Sequence, residues 1–122
     1  MNIYLAAPYS CMSEMKEWEK LLVEAGHVCT AQWLQADPNT PWGGEPAASA
    51  ALDLADIDRA DTVISKVLPG KPVLRGSRHV EFGYALALGK KLINVGPGSE
   101  NLFHELPSVQ RFPTIQDAIA AL

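Results

Sequence analysis

The segment from Arg75 to Gly96 (RGSRHVEFGYALALGKKLINVG) constrains the fold most, because it predicts a loop, a helix and a buried strand in succession. Ser77 is the predicted N-cap of a helix over 78–88, since its hydroxyl can accept from a free first-turn N–H. Gly89 supplies the left-handed residue that ends this helix, and two lysines follow where cations favour a helix C-terminus. The apolar run over 92–95 then predicts a buried strand.

Glu81 is the unusual residue of this predicted helix. Its neighbours at i+4 and i+7 are Ala85 and Leu88, so the carboxylate lies on or beside the apolar face. A half-buried carboxylate near a positively polarised helix start, with space in front of it, is a candidate nucleophile or base. The alternative is that Glu81 only complements the helix dipole, as most acids near a helix start do.

Strands and helices alternate along the rest of the chain. The sequence predicts strands over 2–7, 27–34, 62–67, 92–95 and 109–112, and helices over 13–25, 47–59, 78–88 and 114–122. Each crossover is long enough for a parallel connection. We therefore expect residues 1–122 to form a single-domain, doubly wound α/β fold. Its Rossmann/flavodoxin-like sheet has about five mostly parallel strands with helices on both faces, and ligands bind at their carboxyl ends.

Composition and charge narrow the class of protein. The net charge of −4 argues against a protein that binds nucleic acid through a basic surface. Cys11 and Cys29 lie far apart and are expected to be reduced, buried thiols of a cytosolic protein. No segment has the length of a transmembrane helix or the pattern of a signal peptide. We expect a cytoplasmic protein with no nucleic-acid or membrane partner and no metal, because no two histidines have ligand spacing.

Small and polar residues follow the first predicted strand, where a ligand would approach the backbone. They are Ala7, Pro8, Tyr9 and Ser10. In such a loop Tyr9 faces a ligand, faces a neighbouring subunit or only packs, and the sequence leaves all three open.

Acidic and aromatic residues elsewhere give further candidates. Asp53 shares a helix face with apolar residues, Asp56 lies one step around that helix, and Asp58 is expected to face solvent. Trp33, Trp42 and Phe82 are each either a stacking surface for a planar ring or a packing residue. Trp42 belongs to the one long irregular segment, 35–46, and there it either forms part of a lid over a flat ring or pins the loop to the body of the protein.

Three segments together resemble a known family. They are the opening IYLAAPYS, then Asp53-Leu54 followed by Ala60-Asp61-Thr62-Val63-Ile64, and then Gly76 followed by Glu81-Phe82-Gly83-Tyr84-Ala85 through Gly89-Lys90. In this order and spacing the chain resembles the nucleoside 2-deoxyribosyltransferase family and its nucleotide N-glycosidase relatives. The resemblance covers the opening and the middle half of the chain.

The resemblance implies a role for each matching position. Glu81 matches the nucleophile that forms a covalent glycosyl intermediate, and Asp53 matches the acid that contacts and helps protonate the departing base. Tyr9 resembles the first-loop tyrosine that holds the nucleophile or the sugar. Family members often complete their sites from a neighbouring subunit, so the resemblance implies a homo-oligomer, a dimer or higher, to whose site Asn101 contributes. No cofactor is implied.

Arg75 departs from the transferase pattern, which in some members has an aspartate six residues before the nucleophile. Arg75 and Arg78 flank Gly76 and Ser77 at a predicted helix N-terminus, a combination that suits an anion. The nucleotide-cleaving relatives bind a 5′-phosphate on this loop, so Arg75 favours a 5′-monophosphate. The alternative is an exposed arginine paired with Glu45 or Glu100.

Three functions follow from these residues. The first is transfer of a deoxyribosyl group from a 2′-deoxynucleoside or its 5′-monophosphate to another nucleobase by a retaining, glutamate-nucleophile mechanism. The second is hydrolysis of a nucleoside 5′-monophosphate with water as the acceptor. The third is a non-catalytic nucleotide-binding or sensing domain.

If Asp53 and Glu81 lie close together, like charge and burial should raise the pKa of one of them.

Overall fold

The computed structural model describes residues 1–37, 44–70 and 74–122. Its five strands are β1 (Asn2–Ala6), β2 (Val28–Cys29), β3 (Thr62–Lys66), β4 (Lys91–Val95) and β5 (Val109–Phe112). Its four α-helices are α1 (Met12–Glu24), α2 (Pro46–Asp58), α3 (Ser77–Ala87) and α4 (Ile115–Ala120). Short 3₁₀ turns occur at Tyr9–Cys11, Gln32–Gln35 and Leu102–Glu105. The predicted alternation of strands and helices is confirmed.

The strands form one sheet in the order β2-β1-β3-β4-β5. Every neighbouring pair is parallel, and Ile3 lies opposite Thr62 while Ile64 lies opposite Ile93. This is the flavodoxin-like order, in which the direction of strand addition reverses between β1 and β3 and leaves a crevice at their carboxyl ends. The predicted doubly wound fold is confirmed.

The helices cover both faces of the sheet. Helices α2 and α3 pack together on one face, and α1 and α4 pack together on the other. Successive side chains of a strand point to opposite faces of the sheet. Tyr4 of β1 points to one face and contacts Glu81 of α3, whereas Lys66 of β3 points to the other face and pairs with Glu14 of α1. Between the layers lies one core of apolar side chains, including Leu5, Ile64 and Ile93.

The second strand is shorter than the sequence predicts. Of the predicted range 27–34, only Val28–Cys29 pairs with β1, and Gln32–Gln35 is a 3₁₀ turn. The apolar residues after Cys29 therefore serve a buried turn. Trp33 is only 5% exposed, and its indole N–H donates to the Leu5 carbonyl at 2.9 Å.

Both ends of α3 depend on glycine. Gly76 is the N-cap, with a left-handed φ of +83°, so Ser77 is the first helical residue and not the predicted cap. At the other end Gly89, with φ of +70°, confirms the predicted stop. The N–H of Gly89 donates to Leu86 and that of Lys90 to Ala85, which satisfies the last carbonyls in a Schellman motif.

The remaining boundaries agree with the prediction to within one or two residues. Thr114 caps α4 by accepting from the Asp117 N–H at 3.2 Å, and its hydroxyl donates to the Asp117 carboxylate at 2.8 Å. Asp61 has a structural role, because its carboxylate accepts from the Asn2 N–H at 2.9 Å at the start of β1. The part of the predicted loop over 38–43, with Trp42, lies outside the described residues.

Candidate active site

A cavity of about 630 Å³ opens at the carboxyl end of β1, between α2 and the start of α3. Every catalytic or substrate-binding residue predicted from the sequence lines it except Asn101. The predicted residues that line it are Ala7, Pro8, Tyr9, Ser10, Asp53, Arg75, Gly76, Ser77, Arg78 and Glu81. Among the described residues, Tyr4, Trp33, Pro46, Ser49 and Leu74 also line it. The crevice expected from the strand order is therefore the place where the candidate residues meet.

Glu81 lies on the second turn of α3, with its carboxyl group half-buried in the cavity wall. The hydroxyl of Tyr4 donates a hydrogen bond to Glu81 Oε2. Burial raises the pKa of Glu81 to about 8, the Tyr4 hydrogen bond lowers it, and the charges of Asp53 and Asp56 raise it further. The site therefore raises the pKa of Glu81. The sequence predicted a raised pKa for one of the two acids, Glu81 or Asp53, without saying which.

The tyrosine that contacts Glu81 is Tyr4 and not Tyr9. Tyr4 is fully buried in β1, and burial, followed by the negative charges of Glu81 and Asp53, raises its pKa well above the usual value. It therefore stays protonated and donates. Sequence reasoning missed Tyr4 because it lies within an apolar strand, although a buried tyrosine hydroxyl is itself a signal for a partner.

Tyr9 lies in the turn after β1, and its ring also lines the cavity. Its hydroxyl donates to the Asp37 carbonyl at 2.9 Å, and its ring centroid lies 6.0 Å from that of Trp33. Tyr9 and Trp33 together form an aromatic wall. A contact between Tyr9 and the sugar stays a prediction.

Helix α2 carries three acids with different surroundings. Asp56 is fully buried; it accepts from the Gln32 backbone N–H at 2.9 Å and from its side chain at 2.8 Å, and it pairs with Arg59. It therefore anchors the turn that carries Trp33. Asp53 lies one turn earlier, half-buried, and faces the cavity. The sequence placed Asp56 one step around the helix but gave no sign of its complete burial. Asp58 is exposed, as predicted.

The two arginines at the start of α3 have different surroundings. Arg78 is only 5% exposed and forms an ion pair with Glu100, whose other oxygen accepts from the Leu68 N–H at 3.0 Å. Arg75 is exposed and lines the cavity. Within the ranges that the structure describes, no ion pair joins Arg75 to Glu45 or Glu100. The positive charge of Arg78 is thus already compensated, which leaves Arg75, among the described residues that line the cavity, as the cation that forms no ion pair with another described residue.

Asn101 lies apart from this cavity. Its side chain accepts from the Phe103 N–H at 2.9 Å and lies 3.4 Å from ring nitrogens of both His79 and His104. Its predicted contribution to the site of a neighbouring subunit stays a prediction. Phe82 also lies outside the lining; it is buried, with its ring 5.0 Å from that of His104.

The described residues give little support for catalysis by a histidine or for a metal site. Burial lowers the pKa of both His79 and His104, so both rings tend to be neutral at pH 7. His104 is buried and accepts from the Glu100 N–H at 3.1 Å. Across 1–37, 44–70 and 74–122, no group of three or more His, Cys, Asp or Glu side chains is placed to hold a metal ion.

Two solved structures resemble the whole chain. The CMP N-glycosidase BcmB of Clostridium botulinum is 26% identical; the alignment covers 99% of this chain and 97% of that one, with a TM-score of 0.66. The resemblance to the nucleoside 2-deoxyribosyltransferase family, N-glycosidases included, is confirmed. The 2-deoxyribosyltransferase of Bacillus psychrosaccharolyticus is 20% identical, over 98% of this chain and 90% of that one, with a TM-score of 0.74, which supports the fold.

Both neighbours are enzymes. Their similarity to this chain confirms the prediction that it is an enzyme. No protein-family model matches the chain, and no curated protein matches it. None of the helices that the structure describes combines the length and the apolar character needed to cross a bilayer. The cytoplasmic location and the homo-oligomer stay predictions.

Proposed function

We propose that this enzyme cleaves the N-glycosidic bond of a nucleoside 5′-monophosphate or 2′-deoxynucleoside by a retaining mechanism with Glu81 as the nucleophile. The observation that carries the proposal is the placement of Glu81. Its carboxyl group is oriented by Tyr4 and opens onto the same cavity as Asp53. A nucleophilic carboxyl and a second acid on the two sides of one substrate are what glycosyl transfer requires.

In the first step the bond between the sugar C1′ and the base nitrogen breaks, and a bond forms between C1′ and a Glu81 oxygen. The departing base takes up one proton, because an unprotonated base is a poor leaving group. The raised pKa of Glu81 means that the free site carries this proton on Glu81 at pH 7. We propose that Asp53 relays the proton to the base, which leaves Glu81 ionised for attack. The proton balance then closes within the pair.

In the second step an acceptor attacks C1′ from the face that the base has left. As the acceptor attacks, the bond between C1′ and the Glu81 oxygen breaks, and the proton that the acceptor loses passes through Asp53 back to Glu81. Water gives a sugar phosphate, whereas a second nucleobase gives a new nucleoside. Arg75 and the N-terminus of α3, which no side chain of the described residues caps, favour a substrate with a 5′-phosphate. The full-length similarity to a CMP N-glycosidase supports hydrolysis, and the similarity in fold to a 2-deoxyribosyltransferase leaves transfer as the second candidate.

A chromatographic assay of released base tests this proposal. Purified protein is incubated with ribo- and deoxynucleosides and their 5′-monophosphates, each with and without a second free base. We expect release of base from monophosphates, and Glu81→Gln should lower the rate by about 10³-fold or more because the nucleophile is lost. Arg75→Ala should lower kcat/KM roughly tenfold for monophosphates only, on the scale of one charge-assisted hydrogen bond.

Each product distinguishes one function. Free base without an acceptor indicates hydrolysis, and a new nucleoside formed only with an acceptor indicates transfer. Arg111→Ala is the matched control for Arg75→Ala, because Arg111 is an exposed arginine of β5 that does not line the cavity. Ligand-induced stabilisation without any product, unchanged in Glu81→Gln, would instead support the non-catalytic nucleotide-binding domain.

A further inference from the structure

Ser49 lines the cavity on its α2 side, one helical turn before Asp53. Residues four apart on a helix share a face, so the two side chains stand next to each other in the cavity wall. The sequence gave no reason to single out Ser49, because it lies in an alanine-rich stretch (PAASAALD) whose small residues predict only a helix. Its position beside the proposed acid makes it a neighbour of the leaving group.

The hydrogen bonding of Ser49 fixes what it can offer to a ligand. Its hydroxyl donates to the Glu45 carbonyl at 3.0 Å, within the first turn of α2. A serine hydroxyl has one proton and two lone pairs. Because the proton is engaged by the backbone, the oxygen faces the cavity as a hydrogen-bond acceptor. It therefore complements an N–H donor of the ligand and not a carbonyl oxygen.

The walls of the cavity indicate which part of a nucleotide meets Ser49. Arg75 and the start of α3 form the wall that suits an anion, and Glu81 lies at the reacting carbon in the proposed mechanism. Asp53, Trp33 and Ser49 belong to the wall formed by α2 and the turn after β2. A nucleotide with its phosphate at Arg75 and its C1′ at Glu81 places its base against this second wall, where Trp33 offers an aromatic edge.

We propose that Ser49 determines base specificity by accepting a hydrogen bond from an exocyclic amino group, so that the site prefers amino bases to their oxo counterparts. This inference rests on the proposed function, since it takes the base to lie beside Asp53. Cytosine has an exocyclic amino donor where uracil has an oxo acceptor, and its adjacent ring nitrogen is an acceptor where that of uracil is an N–H donor; adenine and hypoxanthine differ in the same way. The preferred class is thus a nucleotide of cytosine or adenine.

Binding to the Glu81→Gln variant tests the inference without turnover. Titration calorimetry compares dCMP with dUMP, and AMP with IMP, in Glu81→Gln and in Glu81→Gln/Ser49→Ala. We expect Glu81→Gln to bind the amino member of each pair roughly fivefold more tightly, on the scale of one net hydrogen bond. Adding Ser49→Ala should weaken the amino member by that factor and leave the oxo member unchanged. Adding Ser49→Thr should keep the preference, because threonine retains the hydroxyl.

Ser77→Ala is the matched control, since it removes a hydroxyl from the wall near Arg75 and should weaken both members of a pair equally. The inference is wrong if Ser49→Ala weakens amino and oxo members alike, if it changes neither, or if no nucleotide binds. Failure of the proposed function looks different. In that case wild-type protein releases no base although the binding preference that depends on Ser49 persists.

Discussion

Two glutamates near the start of α3 differ in their surroundings: Glu81 belongs to the helix, and Glu100 pairs with its first turn. The guanidinium of Arg78 and, at 3.0 Å, the Leu68 N–H both donate to Glu100, and Nε2 of His79 lies 3.7 Å from its carboxylate. Glu81 faces the cavity, and one hydroxyl, that of Tyr4, donates to it. A carboxylate that is surrounded by donors holds segments together. A carboxyl that is buried with one donor keeps a raised pKa and stays available for chemistry.

The largest expected effect on folding comes from the Glu100 side of this comparison. Glu100→Gln leaves the Arg78 guanidinium buried without its counter-charge, which should lower the free energy of unfolding by about 3–5 kcal/mol. Urea titration followed by tryptophan fluorescence measures the change. Glu105→Gln is the matched control, because the pair between Arg111 and Glu105 at 3.0 Å is exposed and should contribute little. Equal effects of the two variants would contradict a supporting role for the buried pair.

For Glu81 we predict a change in the free energy of unfolding with the opposite sign, because removing its charge should stabilise the protein. The folded-state pKa of Glu81 is about 8, above the unfolded value of 4.5. Between these two values the unfolded chain has lost a proton that the native protein retains, so burial of Glu81 costs stability as the pH rises. Glu81→Gln should therefore gain stability over wild type between pH 4.5 and pH 8, by on the order of 2 kcal/mol. Thermal melts across this range measure the difference, and a gain that does not depend on pH would argue against the raised pKa.

A smaller effect concerns the hydrogen bond that orients Glu81. Because Tyr4 lowers the pKa of Glu81, Tyr4→Phe should move the falling limb of kcat/KM, where Glu81 loses the proton that the base needs, from about pH 8 to higher pH. At pH 9 the variant should therefore lose less of its maximal activity than wild type, by up to roughly tenfold for one pKa unit. Tyr84→Phe is the matched control, since its hydroxyl donates to the exposed Asp58 at 2.6 Å, outside the cavity. An unchanged pH profile in Tyr4→Phe would show that Tyr4 only packs.

The fold could be predicted from the sequence wherever the signal is local. Strand and helix alternation, the stop at Gly89 and the cap at Thr114 each depend on a few adjacent residues. The second strand was overpredicted because Trp33 and Leu34 are buried by a turn, and an apolar run does not distinguish a buried turn from a strand. Serine favours the N-cap, which is why the sequence predicts Ser77 there, whereas the chain requires the left-handed backbone that Gly76 provides.

The candidate site was predictable to the extent that its residues follow strand ends and helix starts. Glu81, Asp53 and Arg75 line one cavity as the sequence implied. Contacts between distant segments could not be predicted: Tyr4 with Glu81 is separated by 77 residues and Arg78 with Glu100 by 22. The sequence predicted that Arg78 binds an anion together with Arg75. Because Arg78 pairs with Glu100, it instead supports the structure beside the cavity.

Trapping of the glycosyl intermediate tests the central claim most directly. A nucleoside 5′-monophosphate with fluorine at C2′ destabilises the oxocarbenium-like transition state and slows the turnover of a covalent intermediate. After incubation, the digested protein is analysed by mass spectrometry. We predict an adduct of the fluorinated sugar phosphate on the peptide that contains Glu81, with one equivalent of base released, and no adduct in Glu81→Gln. Steady release of base by the wild type without an adduct, or an adduct on another residue, would contradict Glu81 as the nucleophile.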